Sequence, residues 1–367
     1  MADTSVLSGL ELTKWKKNFL REMVRDSGFE PYMGTSNQDI IHVINDLETD
    51  GYTIRVPLLK QLNNNGVSGE TRLSGNEEQL NQFYQDISWE FYRNAVEISK
   101  KQREKSAVDL MAAVRPELSD WASEKIKYQI VDCFHSMNGV NFTASSASQR
   151  NAWVTANADR VLFGKAVSNY STTHATGLAA IDNTDDKLTT SVATLAKRLA
   201  RKARPRIRPF KTGTQGREFF VMFCHPLCFR DLKNDSVMTQ ANRDARPRDV
   251  NSNPLFQDGD LIYDGIIFRE IPEFYQPRNP ADSVNEATTI ASTIQVGANF
   301  LCGAQAIGYV NKQMPTPTTK KEDDYGYFKG MGVEFANGME KLTWNNGADT
   351  RKDVGIFTVY AAAVADA

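Results

Sequence analysis

Histidine and cysteine are the residues best placed for metal or nucleophile chemistry in this chain, and it carries four of each: His42, His135, His174 and His225, with Cys133, Cys224, Cys228 and Cys302. Cys224-His225-Pro226-Leu227-Cys228 puts three soft ligands within five residues. A tetrahedral site needs a fourth ligand, usually from a second Cys/His cluster, and no such cluster occurs in the sequence. Cys224 also ends an apolar run, where a free cysteine serves as a small buried hydrophobe. Asp258, Asp260 and Asp264 lack the glycine and closing glutamate of a calcium loop and read as a turn between strands. The chain has no phosphate-binding P-loop and no nucleophile elbow, and Gly330-Met331-Gly332 lacks the third glycine of a dinucleotide fingerprint. Asp185-Asp186 and Asp323-Asp324 lie in polar stretches and read as solvated loop faces or helix N-terminal charges. We therefore expect no catalytic residue, no metal site and no cofactor.

One charge cluster is unusual. Lys197, Arg198, Arg201, Lys202, Arg204, Arg206, Arg208 and Lys211 occur without an acid among them. They could form a phosphate-facing surface. They could equally form an inter-subunit ion-pair patch, or the solvated end of a helix whose macrodipole favours cations. The chain as a whole has a formal net charge of -2, which argues against a dedicated nucleic-acid binder. With 41% hydrophobic and 24% charged residues it is also too apolar for intrinsic disorder. The sparse, irregular cysteines fit a reducing compartment. Met1 to Lys17 has no apolar signal region, and Val354 to Val364 is too short to span a bilayer. A soluble, cytosolically made protein without a membrane partner is expected.

The elements that position these residues follow from periodicity. Leu12, Trp15, Phe19, Leu20, Met23 and Val24 predict an amphipathic helix ending near Ser27-Gly28. Ile40, Ile41, Val43 and Ile44 follow in an arm with little apolar content of its own, so it is expected to lie across another surface. Tyr52, Ile54, Val56 and Leu58 alternate with polar residues and Pro57, the pattern of an edge strand. A second alternation comes at Ile87, Trp89 and Phe91. The Asn/Gly/Ser-rich stretch between the two is either disordered or a long hairpin reaching outward. A helix is predicted over Ser99–Met137, with Pro116 in an opening turn or kink and one stripe of Leu118, Trp121, Ala122, Ile126, Ile130, Cys133, Phe134 and Met137. Another runs over Lys187–Lys202, with Leu188, Val192, Leu195 and Leu199 on one face and Pro205 ending it. Strands are predicted at Phe219–Phe223, Leu261–Ile271, Tyr325–Phe335, Glu340–Trp344 and Val354–Ala363, and a short helix after Pro226. Ile290–Tyr309 carries both signals, and Met314–Thr319 reads as a Pro/Thr linker. The class is α+β.

Distributed motifs then carry a resemblance. They are Pro57-Leu58-Leu59, Gly66-Val67-Ser68-Gly69, Leu73-Ser74-Gly75-Asn76-Glu77-Glu78, Leu118-Ser119-Asp120-Trp121 and Arg160-Val161-Leu162-Phe163-Gly164. His225-Pro226 with Arg230-Asp231-Leu232-Lys233, Tyr263-Asp264-Gly265-Ile266-Ile267, Gly303-Ala304-Gln305-Ala306, Asp324-Tyr325-Gly326 and Asp353-Val354-Gly355 continue the series. In this order, over roughly residues 50 to 365, the sequence resembles the major capsid proteins of tailed bacteriophages, and among them the N-four-like podovirus family, with the Johnson fold. The resemblance implies an N-terminal arm at 1–49, an extended loop at 50–92 and a spine helix with peripheral domain at 93–184. It implies an axial domain at 185–320, a peripheral sheet at 321–352 and a strand at 353–367 returning to the axial domain. It implies a structural protein and not an enzyme, assembling with copies of itself as hexamers and pentamers into an icosahedral virion capsid around double-stranded DNA. Scaffolding and portal proteins, and a decoration protein, are partners of that assembly. A hairpin near residue 50 leaves no room for a fused scaffolding segment, so scaffolding is expected from another protein. The extended loop is expected to work between subunits through Leu62, Asn63, Asn64, Asn65, Gly66, Val67, Gly69, Leu73 and Gly75, with Glu77 and Glu78 offered to a neighbour's Arg or Lys. An encapsulin-like compartment holding protein cargo uses the same fold and stays open as an alternative, as does a soluble enzyme with an unrecognised site.

Overall fold

A computed structural model describes residues 29–45, 51, 53–59, 62, 64, 66–78, 82–106, 110–212, 217–244, 261–274, 294–344 and 351–364, less a few side chains within them. The amphipathic helix expected over 12–24 lies outside these residues. Two sheets, one long helix and a hairpin make up the described architecture. The five-stranded sheet runs in the order β1 (Met33–Gly34), β2 (Ile41–Ile44), β12 (Ile307–Asp323), β13 (Phe328–Lys341), β5 (Glu90–Ser99). The seven-stranded sheet runs β6 (Val161–Phe163), β14 (Ile356–Ala362), β11 (Val296–Cys302), β8 (Arg217–Cys224), β10 (Ile266–Glu270), β9 (Leu261–Tyr263), with β7 (Phe210–Thr212) beside β8. β3 (Thr53–Leu59) and β4 (Gln82–Ser88) form the hairpin.

The helix Leu110–His135, here α2, joins the two sheets. Val114, Leu118, Ala122, Ile126, Ile130 and Phe134 recur every four residues and are all buried. Its upper part packs on β13 and β5. Its end enters an aromatic cluster in which the Phe134 ring lies 5.3 Å from Phe223, 5.4 Å from Phe300 and 6.1 Å from Phe29. One core therefore spans helix, both sheets and the start of the described chain. A second core lies between the seven-stranded sheet and three helices: α5 (Thr190–Lys202), α6 (Pro226–Asn234) and α7 (Ser236–Asp244).

Several expectations change against this frame. The single helix over 99–137 is two: α1 (Lys100–Lys105) stops where Ser106 turns extended, and α2 follows. Pro116 sits inside α2 instead of opening it. The arm does not lie on a foreign surface over its described part. Phe29, Tyr32, Ile40 and Ile41 are buried in the chain's own core, and β2 pairs in parallel with Ile307–Val310 of β12. Met314–Thr319 is strand within β12, not linker. β2 covers the other edge of β12 only as far as Val310, so Pro315 and Pro317 cost no ladder bond on that edge, and bulges flank them. The five-stranded sheet thus takes up the chain at Ile307, where the domain division placed it at 321, and β6 lies in the seven-stranded sheet. The polar stretch 138–190 contains two helices, α3 (Ala147–Ala156) and α4 (His174–Ala179). On α5 the buried ridge is Val192, Ala193, Ala196 and Ala200, with Leu195 and Leu199 at its margin. Small side chains let that helix approach the sheet closely. Asp186 is not solvated but buried, accepting the backbone N–H groups of Lys165 at 2.8 Å and Asp182 at 3.0 Å.

Candidate assembly surfaces

The hairpin is built as its alternation predicts. Val56 and Leu58 face inward and Arg55 and Pro57 outward, in register with β4 so that Ile54 meets Ile87 and Leu58 meets Phe83. Its base packs Val56, Leu58 and Ile87 on Val310, Leu342 and Val354 of the chain's own sheets. The expected loop end at residue 92 is shorter in fact, since β5 leaves the hairpin at Glu90 and pairs with β13. Beyond Leu59 the chain leaves the core. Leu62 and Leu73 are 55% and 60% exposed, and Val67 is half-buried. Gly66, Gly69 and Gly75 hold φ of 70°, 69° and 91°, which lets the tip reverse sharply. Glu77 and Glu78 are engaged locally: they accept the backbone N–H groups of Gly75 and Asn64, each at 2.7 Å. Asn63 and Asn65 lie outside the described residues.

The basic cluster is divided by the fold. On α5, Lys197 pairs with the Asp264 carboxylate at 3.0 Å and Arg201 approaches Glu218 at 3.9 Å. Arg198 and Lys202 are exposed. After the helix the chain bends at 203–205 and runs on without regular structure to 209; along it, exposed Arg204, Arg206 and Arg208 alternate with buried Ala203 and Ile207 and half-buried Pro205. The backbone here is pinned. Pro205 and Arg208 carbonyls accept from Arg160 and the Ala304 N–H, each at 2.8 Å, and Ile207 N–H donates to Ala200 at 3.3 Å. Arg206 and Arg208 edge a cleft of about 310 Å³ whose other walls include Pro57, Leu58 and Leu59 of the hairpin and Trp344. Lys211 falls on β7, and its side chain is outside the described set.

The residues singled out for chemistry have structural occupations. His225 caps α6, its Nδ1 accepting the Leu227 N–H at 3.3 Å, and Cys224 and Cys228 are buried beside it. Burial pushes the Cys228 thiol up to about 12, so it is a neutral thiol and not a thiolate nucleophile at neutral pH. Asp264 and Gly265 turn β9 into β10, with φ of 48° and 69°. Among the described residues no group of three or more Cys, His, Asp or Glu side chains is placed to hold a metal. No described helix is long and apolar enough to cross a membrane.

A buried ionic network went unread in the sequence. Lys341, at the end of β13, has its Nζ 3.7 Å from Asp353, donates to the Ser136 carbonyl at 2.8 Å, and lies over the Trp153 ring at 5.4 Å. The Asp353 carboxylate accepts the Trp153 indole N–H at 3.3 Å, and its carbonyl accepts from Arg160. Burial holds the Asp353 carboxyl above its usual range, and Lys341 pulls it back. The network joins α2, α3 and both sheets. β13 is covered on both faces, so it shows no alternation to mark Lys341 as inward.

Two sheets seamed by a long helix, with a hairpin whose tip stands off the core, are the Johnson fold of tailed-phage capsid subunits. Solved structures share it across nearly the whole chain. The capsid subunit of cyanophage Pam1 is 34% identical with a TM-score of 0.83, covering 94% of each chain. The capsid of Ralstonia phage GP4 is 19% identical with a TM-score of 0.69, covering 92% of each. The model of the phage capsid protein family matches residues 3–365, and the chain belongs to that family. It is also similar to the major capsid protein of Pseudomonas phage KPP25, 26% identical over 385 aligned positions that cover 97% of this chain and 96% of that protein. Its role is structural, as a subunit of the virion capsid.

Proposed function

We propose that copies of this chain assemble as hexamers and pentamers into an icosahedral head that encloses double-stranded DNA, with no catalytic step of their own. The observation that carries this reading is the hairpin. Its base has a core to pack on, while its tip exposes Leu62 and Leu73 to solvent. Exposed leucines on a projecting, polar loop are a contact surface waiting for a neighbour. In this reading the seven-stranded sheet with α5, α6 and α7 is the axial domain, and the five-stranded sheet with α2 is the peripheral domain. Scaffolding, portal and decoration proteins act as separate partners, and contact with DNA is non-specific.

The test replaces Leu62–Asn76 with a short Gly-Ser turn. Each leucine is more than half exposed, so losing both removes at most about 2 kcal/mol of burial. Shortening the loop about threefold returns roughly 1 kcal/mol of closure entropy. Subunit unfolding should therefore move little, while electron microscopy of assembly reactions with a scaffolding protein shows no shells or aberrant ones. Normal shells from the shortened chain would refute the loop's assignment.

A further inference from the structure

We propose that the cleft walled by Leu59, Arg206, Arg208 and Trp344 is the receptor for the hairpin tip of a second copy, which it holds by a carboxylate and a leucine. This rests on the shell reading above and names the residues that make the contact.

The polar groups of the cleft are mainly donors. The Arg206 and Arg208 guanidinium groups have no acid partner among the described residues. The Trp344 indole N–H is buried and has no acceptor among them. Opposite stands an apolar wall, in which Leu59 is 57% exposed. Planar donors beside an aliphatic wall select a carboxylate flanked by aliphatic side chains. A DNA phosphate would satisfy the arginines but bring nothing for Leu59, and a cleft of about 310 Å³ takes side chains, not a duplex. The pinned backbone of residues 203–208 keeps the arginines in place before anything binds, which lowers the ordering cost.

The hairpin tip has the complementary chemistry. Between Leu62 and Glu78 it carries Glu70, Glu77 and Glu78 against the single Arg72. Glu70 sits in a turn after Gly69 and has no partner among the described residues, and Leu73, three positions on, is 60% exposed. The chain's own cleft does not bury its own Leu73, so the fit is between copies. Charge complementarity and two exposed leucines, one on each side, specify the occupant.

The experiment uses the full chain and reads every variant against wild-type shells formed in the same assembly reaction. Arg206→Glu with Arg208→Glu should cut shell yield by at least about tenfold, and so should Glu70→Arg. Combining the changes on the two sides should restore assembly. A separate variant, Leu59→Cys with Leu73→Cys, keeps all charges and should give disulfide-linked copies in assembled particles under mild oxidation. Wild-type yield from the arginine variant, no recovery in the combined variant, or assembled cysteine particles without linked copies would each overturn the proposal. Normal shells that lose DNA at high salt would overturn it in favour of a DNA-facing role for the arginines. A wild-type chain that forms no shells overturns the broader reading, and this one with it.

Discussion

Replacing Lys341 with Met should reveal how much of the fold depends on the buried network. The substitution keeps the aliphatic stem but removes the ammonium group 3.7 Å from Asp353 and its bond to the Ser136 carbonyl. Breaking one side of a fully buried pair costs about 3–5 kcal/mol, because the remaining carboxylate keeps only the Trp153 indole and the charge of Arg160 to offset its burial. At about 2.1 cal/mol/K of unfolding entropy per residue, a chain of this length would lose about 4–6 °C of melting temperature. The pH dependence follows from Asp353, whose folded-state pKa is raised by burial and drawn back by Lys341. A carboxyl with a raised folded pKa binds more protons folded than unfolded, so its contribution to stability falls as pH rises toward that pKa. Without Lys341 the folded pKa climbs further. Between the wild-type and variant values the deficit should grow with pH, by at most about 1.4 kcal/mol per unit. Adding Asp353→Asn removes the stranded charge but keeps an acceptor for the Trp153 indole, and should recover most of the loss. Urea unfolding of soluble subunits at pH 5 and pH 8 measures all of this. A deficit below about 1 kcal/mol at pH 8, or one that is equal at both pH values and not recovered by the second change, would show that the network does not hold the sheets together.

Other expectations are shorter. Asp186→Ala strands the backbone N–H groups of Lys165 and Asp182 and should cost about 2–3 kcal/mol in urea unfolding. Gly303→Ala should destabilise by about 1–3 kcal/mol, because the added Cβ overlaps the Arg208 carbonyl, and crystallography or cryo-microscopy should find residues 207–208 displaced. Lys202→Gln should leave the subunit within about 0.5 kcal/mol of wild type, while Lys197→Gln, which loses the half-buried pair with Asp264, should fall below it in the same assay.

How much was legible depended on how many faces an element covers. α2 and the hairpin each bury one side, so their periods of four and two stood in the sequence and returned in the structure. β13 is covered on both sides near Lys341, and there the pattern carries no period to mark that lysine as inward; in β12 the prolines of Met314–Thr319 read as a linker. The buried polar groups were invisible for a related reason. Asp186 accepts from Lys165, 21 positions back, and Asp353 accepts from Trp153, 200 positions back, and pairs with Lys341 on β13, and nothing in their neighbours announces it. The basic cluster shows the limit most sharply. Eight cations within residues 197–211 read as one cluster, but the helix ends at Lys202 and the chain then bends through 203–205. Helical spacing sends Lys197 and Arg201 toward acids of the seven-stranded sheet, while Arg204, Arg206 and Arg208 are exposed beyond the helix end. A single patch in sequence thus becomes two surfaces. The first is partly neutralised within the subunit through Lys197 and Arg201, and the second is left with unmatched charge beside an open cleft. Only the second also offers a cavity with an apolar wall, which sets Arg206 and Arg208 apart from the rest of the cluster.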